Sequence, residues 1–256
     1  MAHIFRTNEI NVDDIDFGPT KRSSTGRITL SPTYKGKRLL FQTPSMDAPF
    51  GVSQAKEDPK RKYLDLSFRG METNPSIEQY KTFIEKLERK IKSFTKEHAT
   101  ELLGSVAKKG ISDETLDVFY RGVIREARDP EKYAPTIRYK VITGDDGMGL
   151  VEVYQNRNTK IPIESLPKGG SCTCIVELQS IWFSANMFGP TFKLHIVRYK
   201  PPSKVSGYIF FDDEDEEEEG IEEEEDDIGF PSSFPTTKEI PQHDTVQESN
   251  PEEDVL

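Results

Sequence analysis

Ser171-Cys172-Thr173-Cys174-Ile175-Val176-Glu177-Leu178-Gln179-Ser180-Ile181-Trp182-Phe183 is the run on which the fold assignment turns. It keeps a period of two, with Cys172, Cys174, Val176, Leu178 and Trp182 on one face and Thr173, Glu177 and Gln179 on the other. That alternation belongs to a strand with one face in a core and one in water. On this reading Trp182 is interior, and Phe183 on the opposite face is free to stack on a ligand. Cys172 and Cys174 become two small core residues, because a bridge across one intervening residue is strained and four-ligand zinc spacing is missing. No metal and no cofactor is expected.

The same period recurs on either side. Residues 137–142, 150–156 and 191–200 read as strands, separated by turn signals at 144–147, 167–170 and 186–190. Earlier, 27–41 reads as a hairpin broken at Tyr34-Lys35-Gly36-Lys37, and 63–68 as a half-buried strand. Between the early and late strands the period changes. Asn74-Pro75 offers a cap and a first-turn proline, and Ile77, Tyr80, Ile84, Leu87, Ile91 and Phe94 follow at spacings of three and four, predicting a helix that Gly104 ends. A shorter helix is predicted from Asp113 to about Ala127. Six or seven short strands with helices inserted at about 74–127 make a mainly β, α+β chain, and they fit a small closed Greek-key β-barrel better than a βαβ sheet.

The charge is divided along the chain. The 256 residues carry a formal net charge of −11, yet residues 1–204 hold 33 bases against 25 acids, while 205–256 hold 20 acids and one base, Lys238. From Asp212 to Asp227, 14 of 16 residues are acidic, which predicts a disordered tail over 205–256. Residues 1–26 read as a flexible N-terminal arm, leaving 27–204 as the folded domain. No apolar run approaches the roughly 18–20 residues of a membrane span, and the first residues carry no apolar signal run. A protein inside the cell, not secreted and without a membrane partner, is expected.

Enzyme signatures are missing. The chain has no GxxxxGK[ST], GxGxxG, HExxH or GxSxG, and its four histidines are scattered. What remains is bases beside aromatics. Lys35, Lys37 and Arg38 flank a turn; Lys56, Lys60, Arg61 and Lys62 precede a strand; Arg138, Tyr139, Lys140, Tyr154, Arg157, Lys160, Arg198, Tyr199 and Lys200 decorate the later strands. Single-stranded nucleic acid requires this pairing, since cations track phosphates and aromatic faces stack on unpaired bases. Pro49-Phe50-Gly51 presents Phe50 on a rigid corner, where it either faces a base or plugs the end of the barrel. A flexible polyanion tethered to a basic domain can occupy that domain's own groove and yield to nucleic acid. Helix bases Lys86, Arg89, Lys90, Lys92 and Lys96 either extend such a surface or solvate the helix.

Leu40-Phe41-Gln42-Thr43-Pro44-Ser45-Met46-Asp47-Ala48-Pro49-Phe50-Gly51-Val52, with Tyr63-Leu64-Asp65-Leu66-Ser67-Phe68, resembles the P-x-M-x-A-P-F-G and Y-x-L-x-L-S-F blocks of the single-stranded-DNA-binding proteins of nucleocytoplasmic large DNA viruses. Tyr133-Ala134-Pro135-Thr136-Ile137-Arg138, and Ser180-Ile181-Trp182-Phe183 leading to Phe188-Gly189, match two later blocks. The resemblance spans roughly 27–200. It implies an OB-type barrel related to the replication single-stranded-DNA-binding proteins of tailed phages, which bind DNA without sequence preference and contact polymerase and helicase through an acidic C-terminus. It thereby adds Phe188 to the candidate DNA contacts and assigns partner binding to Asp212, Asp213, Glu214, Asp215, Glu216, Glu217, Glu218 and Glu219; a homodimer is compatible with it. The phage tails end in an aromatic residue, whereas this sequence runs on to Asp254-Val255-Leu256, with Phe230 and Phe234 as the aromatics available.

Two functions stand from the sequence. One is non-enzymatic, sequence-independent single-stranded DNA binding in viral replication, recombination and repair, in the host cytoplasm or nucleus. The other is an acidic-tailed chaperone or virion structural protein that binds basic proteins instead of DNA, a reading to which the two helices lend weight.

Overall fold

The computed structural model describes residues 3–202 apart from Lys109 and Ala185; the tail at 205–256, with Asp212 to Glu219, Phe230 and Phe234, lies outside the described residues. The strands used below are β1 (Ile4–Arg6), β2 (Ile28–Leu30), β3 (Leu40–Gln42), β4 (Met46–Ala48), β5 (Lys62–Ser67), β6 (Thr136–Val141), β7 (Glu152–Tyr154), β8 (Gly170–Ser184) and β9 (Met187–Lys200).

Five of these close on themselves. β4 pairs antiparallel with β5 through Asp47 and Ser67, and β5 pairs antiparallel with β6 along all six residues. β6 then runs parallel to β9, β9 forms a long antiparallel hairpin with β8, and β8 returns antiparallel to β4. Numbering the ring strands 1 to 5 in chain order, the spatial order is 1-2-3-5-4 and only the 3–5 pair is parallel. This is the five-stranded Greek-key barrel of the OB type, in a mainly β chain with inserted helices. Leu64, Leu66, Ile137, Tyr139, Val141, Cys172, Cys174, Val176 and Leu194 are buried. Burial pushes the Cys172 thiol up to about 12.

Two bulges change which side chains enter that core. On β8, Leu178 pairs with Phe192 and Ser180 with Thr191, so Gln179 is an extra residue; on β9, His195 is the extra one. One unpaired residue reverses the alternation beyond it. Past Gln179, Ile181 and Phe183 point inward and Trp182 is turned out to a half-buried outer position. The uninterrupted alternation expected for 171–183 is therefore corrected at its last four residues. Past His195, Val197 and Tyr199 point inward and Arg198 outward.

The predicted hairpin at 27–41 is real at its tip and split at its base. Thr33–Tyr34 pairs with Lys37–Arg38 around Lys35 and Gly36, both at positive φ (49° and 69°), as the mirror-image type I turn requires. β2 and β3 do not pair with each other; both add to β8.

Helix α1 (Pro75–Glu97) starts where predicted: Asn74 Oδ1 accepts from the Ser76 amide at 3.1 Å, and Pro75 opens the first turn. Ile77, Tyr80, Phe83, Ile84, Leu87 and Ile91 form its buried stripe, with Phe83 edge-on to Phe41 at 5.3 Å and Tyr80 hydrogen-bonded to Tyr139 of the barrel. It ends at Glu97, not at Gly104, and α2 (Ala99–Leu103) follows. α3 (Asp113–Phe119) is shorter than the predicted 113–127, because the chain turns extended at Tyr120 to bridge Phe188, and Ile124–Arg125 then pairs with β6.

The N-terminal segment is not a loosely held arm. β1 pairs parallel with β3; Phe5, Ile10, Val12, Ile15 and Phe17 are buried, and Phe17 packs edge-on to Phe94 at 4.9 Å. Lys90 Nζ donates to the carbonyls of Val12, Asp13 and Ile15 at 3.0, 2.7 and 2.6 Å, pinning the segment to α1.

Candidate nucleic-acid interface

Residues paired across neighbouring strands point to the same side of a sheet, so register defines the outer face of the second and third barrel strands. Asp47, Ser67, Thr136 and Arg125 form one row, Asp65 and Arg138 the next outward row, and Tyr63 and Lys140 a third. Over this face opens a groove of about 870 Å³. Its floor carries Asp65, Ser67, Thr136 and Arg138. One wall is Pro49 and Phe50, the other the segment from Arg125 to Ala134, and Arg69 stands at the edge.

The floor is held by a bidentate pair: Arg138 Nε and Nη2 donate to the two Asp65 oxygens, each at 2.6 Å, and the guanidinium lies 4.9 Å from the Tyr63 ring centroid. Hydrogen bonding to Asp65 is the main cause that raises the Arg138 pKa above its ordinary value. Beside it, Arg125 is pulled below its ordinary value, first by partial burial and then by the like charge of Arg138, with Asp65 opposing. The Asp65 carboxylate is bonded to Arg138 alone among the described residues, so the neighbouring Arg125 leaves positive charge for an anion to compensate. Arg69, Arg125 and Arg128 are exposed and make no ion pair among the described residues, and Lys132 pairs with Asp129 at 3.3 Å. The walls carry two large exposed aromatics, Phe50 at 54% and Tyr133 at 66% of full exposure. Cations and aromatic faces in one concave site supply what an unpaired strand needs, and in OB folds the face of strands 2 and 3 is the one that binds oligonucleotides.

Gly51 shapes the Phe50 wall. It sits at φ +61°, and a Cβ there would lie 2.9 Å from the Leu166 carbonyl oxygen. Only glycine makes the corner, and the corner turns Phe50 out to the groove, so of its two expected places it does not plug the barrel. A second cavity of about 1000 Å³ lies between the N-terminal segment and α1, but Lys86, Arg89 and Lys90 face Asp13, Glu78 and Glu97 there, and no exposed aromatic lines it.

Of the candidate contacts read from the sequence, Phe50 and Arg138 line the groove and Lys140 continues its face. Four aromatics are corrected to core. Tyr139 is buried against Tyr80, because alternation sends Arg138 and Lys140 outward and the tyrosine between them inward. Tyr199 lies inward between Arg198 and Lys200 through the His195 bulge. Phe183 and Phe188 stack on each other at 5.6 Å in the interior, Phe183 placed there by the Gln179 bulge. Lys62 is corrected too: it is buried, with Nζ 2.7 Å from Glu164, whose carboxylate also accepts from the Gly149 amide.

The other candidates on strands and turns, exposed apart from half-buried Tyr154, lie outside the groove. Lys35 and Lys37 stand at the hairpin turn, and Arg38 chelates Glu177 at 2.7 and 2.5 Å. Lys60 donates to the Asp145 carbonyl at 3.1 Å and Arg61 pairs with Asp58 at 3.2 Å. Lys160 lies over half-buried Tyr154 and pairs with Glu152, Arg157 is solvated, and Arg198 donates to Thr173. Of the helix bases, Lys90 is the anchor described above, and Lys92 and Lys96 pair with Asp117 and Asp113. Sequence reasoning missed Arg69, Arg125, Arg128, Lys132 and Tyr133 as a site. For all but Arg69 the signal lay in the irregular, base-rich stretch between Phe119 and Pro135, which reads as the end of a helix until Ile124–Arg125 is seen to pair as a strand.

Fold and site together define an OB-type barrel with a basic, aromatic-walled groove. The chain belongs to a family of unknown function, DUF5871, whose model matches residues 70–212. No curated protein is significantly similar in sequence. Among solved structures it is similar to gp2.5, a single-stranded DNA binding protein encoded by bacteriophage T7, at 15% identity over 66% of this chain and 90% of that one, with a TM-score of 0.40. It is also similar to the single-stranded DNA-binding protein from bacteriophage Enc34 in complex with ssDNA, at 12% identity over 72% and 91%, with a TM-score of 0.35.

Proposed function

We propose that the protein binds single-stranded DNA without sequence preference and without catalysis, through the groove over the second and third barrel strands. The observation that carries the reading is the convergence there of Arg69, Arg125, Arg128 and Arg138 with exposed Phe50 and Tyr133. Aromatic faces stack on any base and guanidiniums pair with any phosphate, which favours binding irrespective of sequence.

The reading extends to a setting and a regulator. The resemblance of the blocks at 40–52 and 63–68 to those of proteins of large DNA viruses favours a role in viral DNA replication, recombination and repair, in the host cytoplasm or nucleus. The opposite charge of residues 205–256 favours a tail that competes with DNA for the groove and, once displaced, recruits a polymerase or helicase. The two helices no longer favour a chaperone, because α1 spends its apolar face on the barrel core.

The test replaces Arg69, Arg125 and Arg128 together by glutamine and follows oligothymidine binding by anisotropy against salt. The groove reading expects weaker binding and a log–log salt slope shallower by about 2, given roughly 0.7 counterions released per phosphate contact on single strands. An unchanged slope would remove the groove from the DNA path.

A further inference from the structure

We propose that Trp182 and Arg27 form a second contact for a single strand of nucleic acid, outside the groove, with Lys21 and Arg22 at its margin. The proposal rests on the nucleic-acid reading of the groove and extends the path of the bound strand. Trp182 is the chain's single tryptophan. Without the Gln179 bulge it would enter the core; with it the indole lies half-buried on the outer face, and bulges commonly re-aim a side chain beside a functional site.

The Arg27 guanidinium lies 5.1 Å from the indole centroid. A stacked guanidinium keeps its planar fork of N–H donors free for a phosphate. Trp182 pairs with Thr29, and Thr29 with Lys21, so Lys21 shares this face. Lys21, Arg22 and Arg27 are exposed, and none makes an ion pair among the described residues.

This platform adjoins the groove. Gly189, the hairpin partner of Trp182, lies against the Arg121 backbone, where a Cβ would come within 2.3 Å of the Arg121 carbonyl oxygen. From Arg121 the chain reaches Arg125 of the groove wall in four residues, at most about 14 Å. A strand leaving the groove on that side thus meets the indole within a few nucleotides. The other polyanion at hand is the chain's own stretch 212–227, which contains only Asp, Glu, Gly and Ile. It matches the cations but holds no aromatic ring to stack on the indole, its one apolar side chain being Ile221, whereas a nucleic-acid strand matches both.

Because Trp182 is the single tryptophan, its emission reads this site alone. The full-length protein is titrated with fluorescein-labelled oligothymidines of about 6 and about 20 nucleotides, one within and one beyond the roughly 4–16 nucleotides that one OB fold covers, with anisotropy and tryptophan emission followed separately. The proposal expects both to bind and the longer to quench Trp182 more. Trp182→Phe and Arg27→Ala should then weaken the longer strand several-fold and the shorter one less, with melting temperatures close to that of the parent. Binding of the 20-mer with unchanged emission and unaltered affinity in both variants would overturn it. So would quenching by a peptide of residues 212–227 but not by DNA. Binding of neither strand would overturn the groove reading itself, an outcome that the anisotropy arm distinguishes.

Discussion

Phe50 and Tyr133 are the side chains on which the binding account is most exposed. Both are largely solvated, so removing either ring should leave the melting temperature within about 1 °C while taking away a stacking face. Phe50→Ala and Tyr133→Ala should each cost about 1–3 kcal/mol of oligothymidine binding, roughly five- to 160-fold; isothermal titration at fixed salt reads it. Glu177 carries a pH dependence. Burial alone would raise its pKa, but hydrogen bonds from Arg38 and His195 outweigh this and hold the carboxyl below its ordinary 4.5. A depressed folded-state pKa gives stability that is complete above the ordinary value and drains as pH falls through the folded one. Thermal unfolding followed below about pH 4.5 should therefore show a steeper acid loss in the parent than in Glu177→Gln. At this scale the sequence was legible wherever alternation alone decides. Arg138-Tyr139-Lys140 already implies an inward tyrosine between outward bases; grouping all three as contacts overlooked it. Arg198-Tyr199-Lys200 repeats that pattern, whereas Phe183 and Trp182 were not legible, because a bulge leaves no mark in residue types.

Among the elements, α1 could be read almost to the residue at its start, since the Asn74 cap, Pro75 and an apolar stripe at spacings of three and four are all local signals. Its end was misread at Gly104, where the glycine at φ 61° terminates α2 instead. The N-terminal segment was the larger miss. Phe5, Ile10, Val12, Ile15 and Phe17 follow neither a helical nor a strand period, because each enters the core from a different short piece, and Lys90 completes the attachment from 75 or more residues away. Lys90→Ala should cost about 2 kcal/mol, the scale of losing hydrogen bonds to a charged donor. Hydrogen exchange should speed up at residues 5–17 well before it does in β5 and β6. Equal protection of the two regions would mean that the segment is held without Lys90.

For the whole molecule, the barrel was legible as strands before and after an inserted helix, and its closure was not, since the β4 to β5 link that completes the ring rests on the single pair Asp47 and Ser67. The groove followed from closure: it is the outer face of two strands walled by loops that the chain brings together from residues 49–50 and 125–134. Core side chains among the described residues fall between Phe5 and Tyr199, so a 1–204 chain retains them all. The most direct test is fluorescence anisotropy of labelled oligothymidine with the full-length chain and the 1–204 chain at low and moderate salt. The account predicts binding by both that weakens with salt, with affinity equal or higher in the shorter chain once its competing polyanion is gone. Binding by neither would contradict single-strand binding outright, and loss of binding on truncation would contradict a tail that competes with DNA.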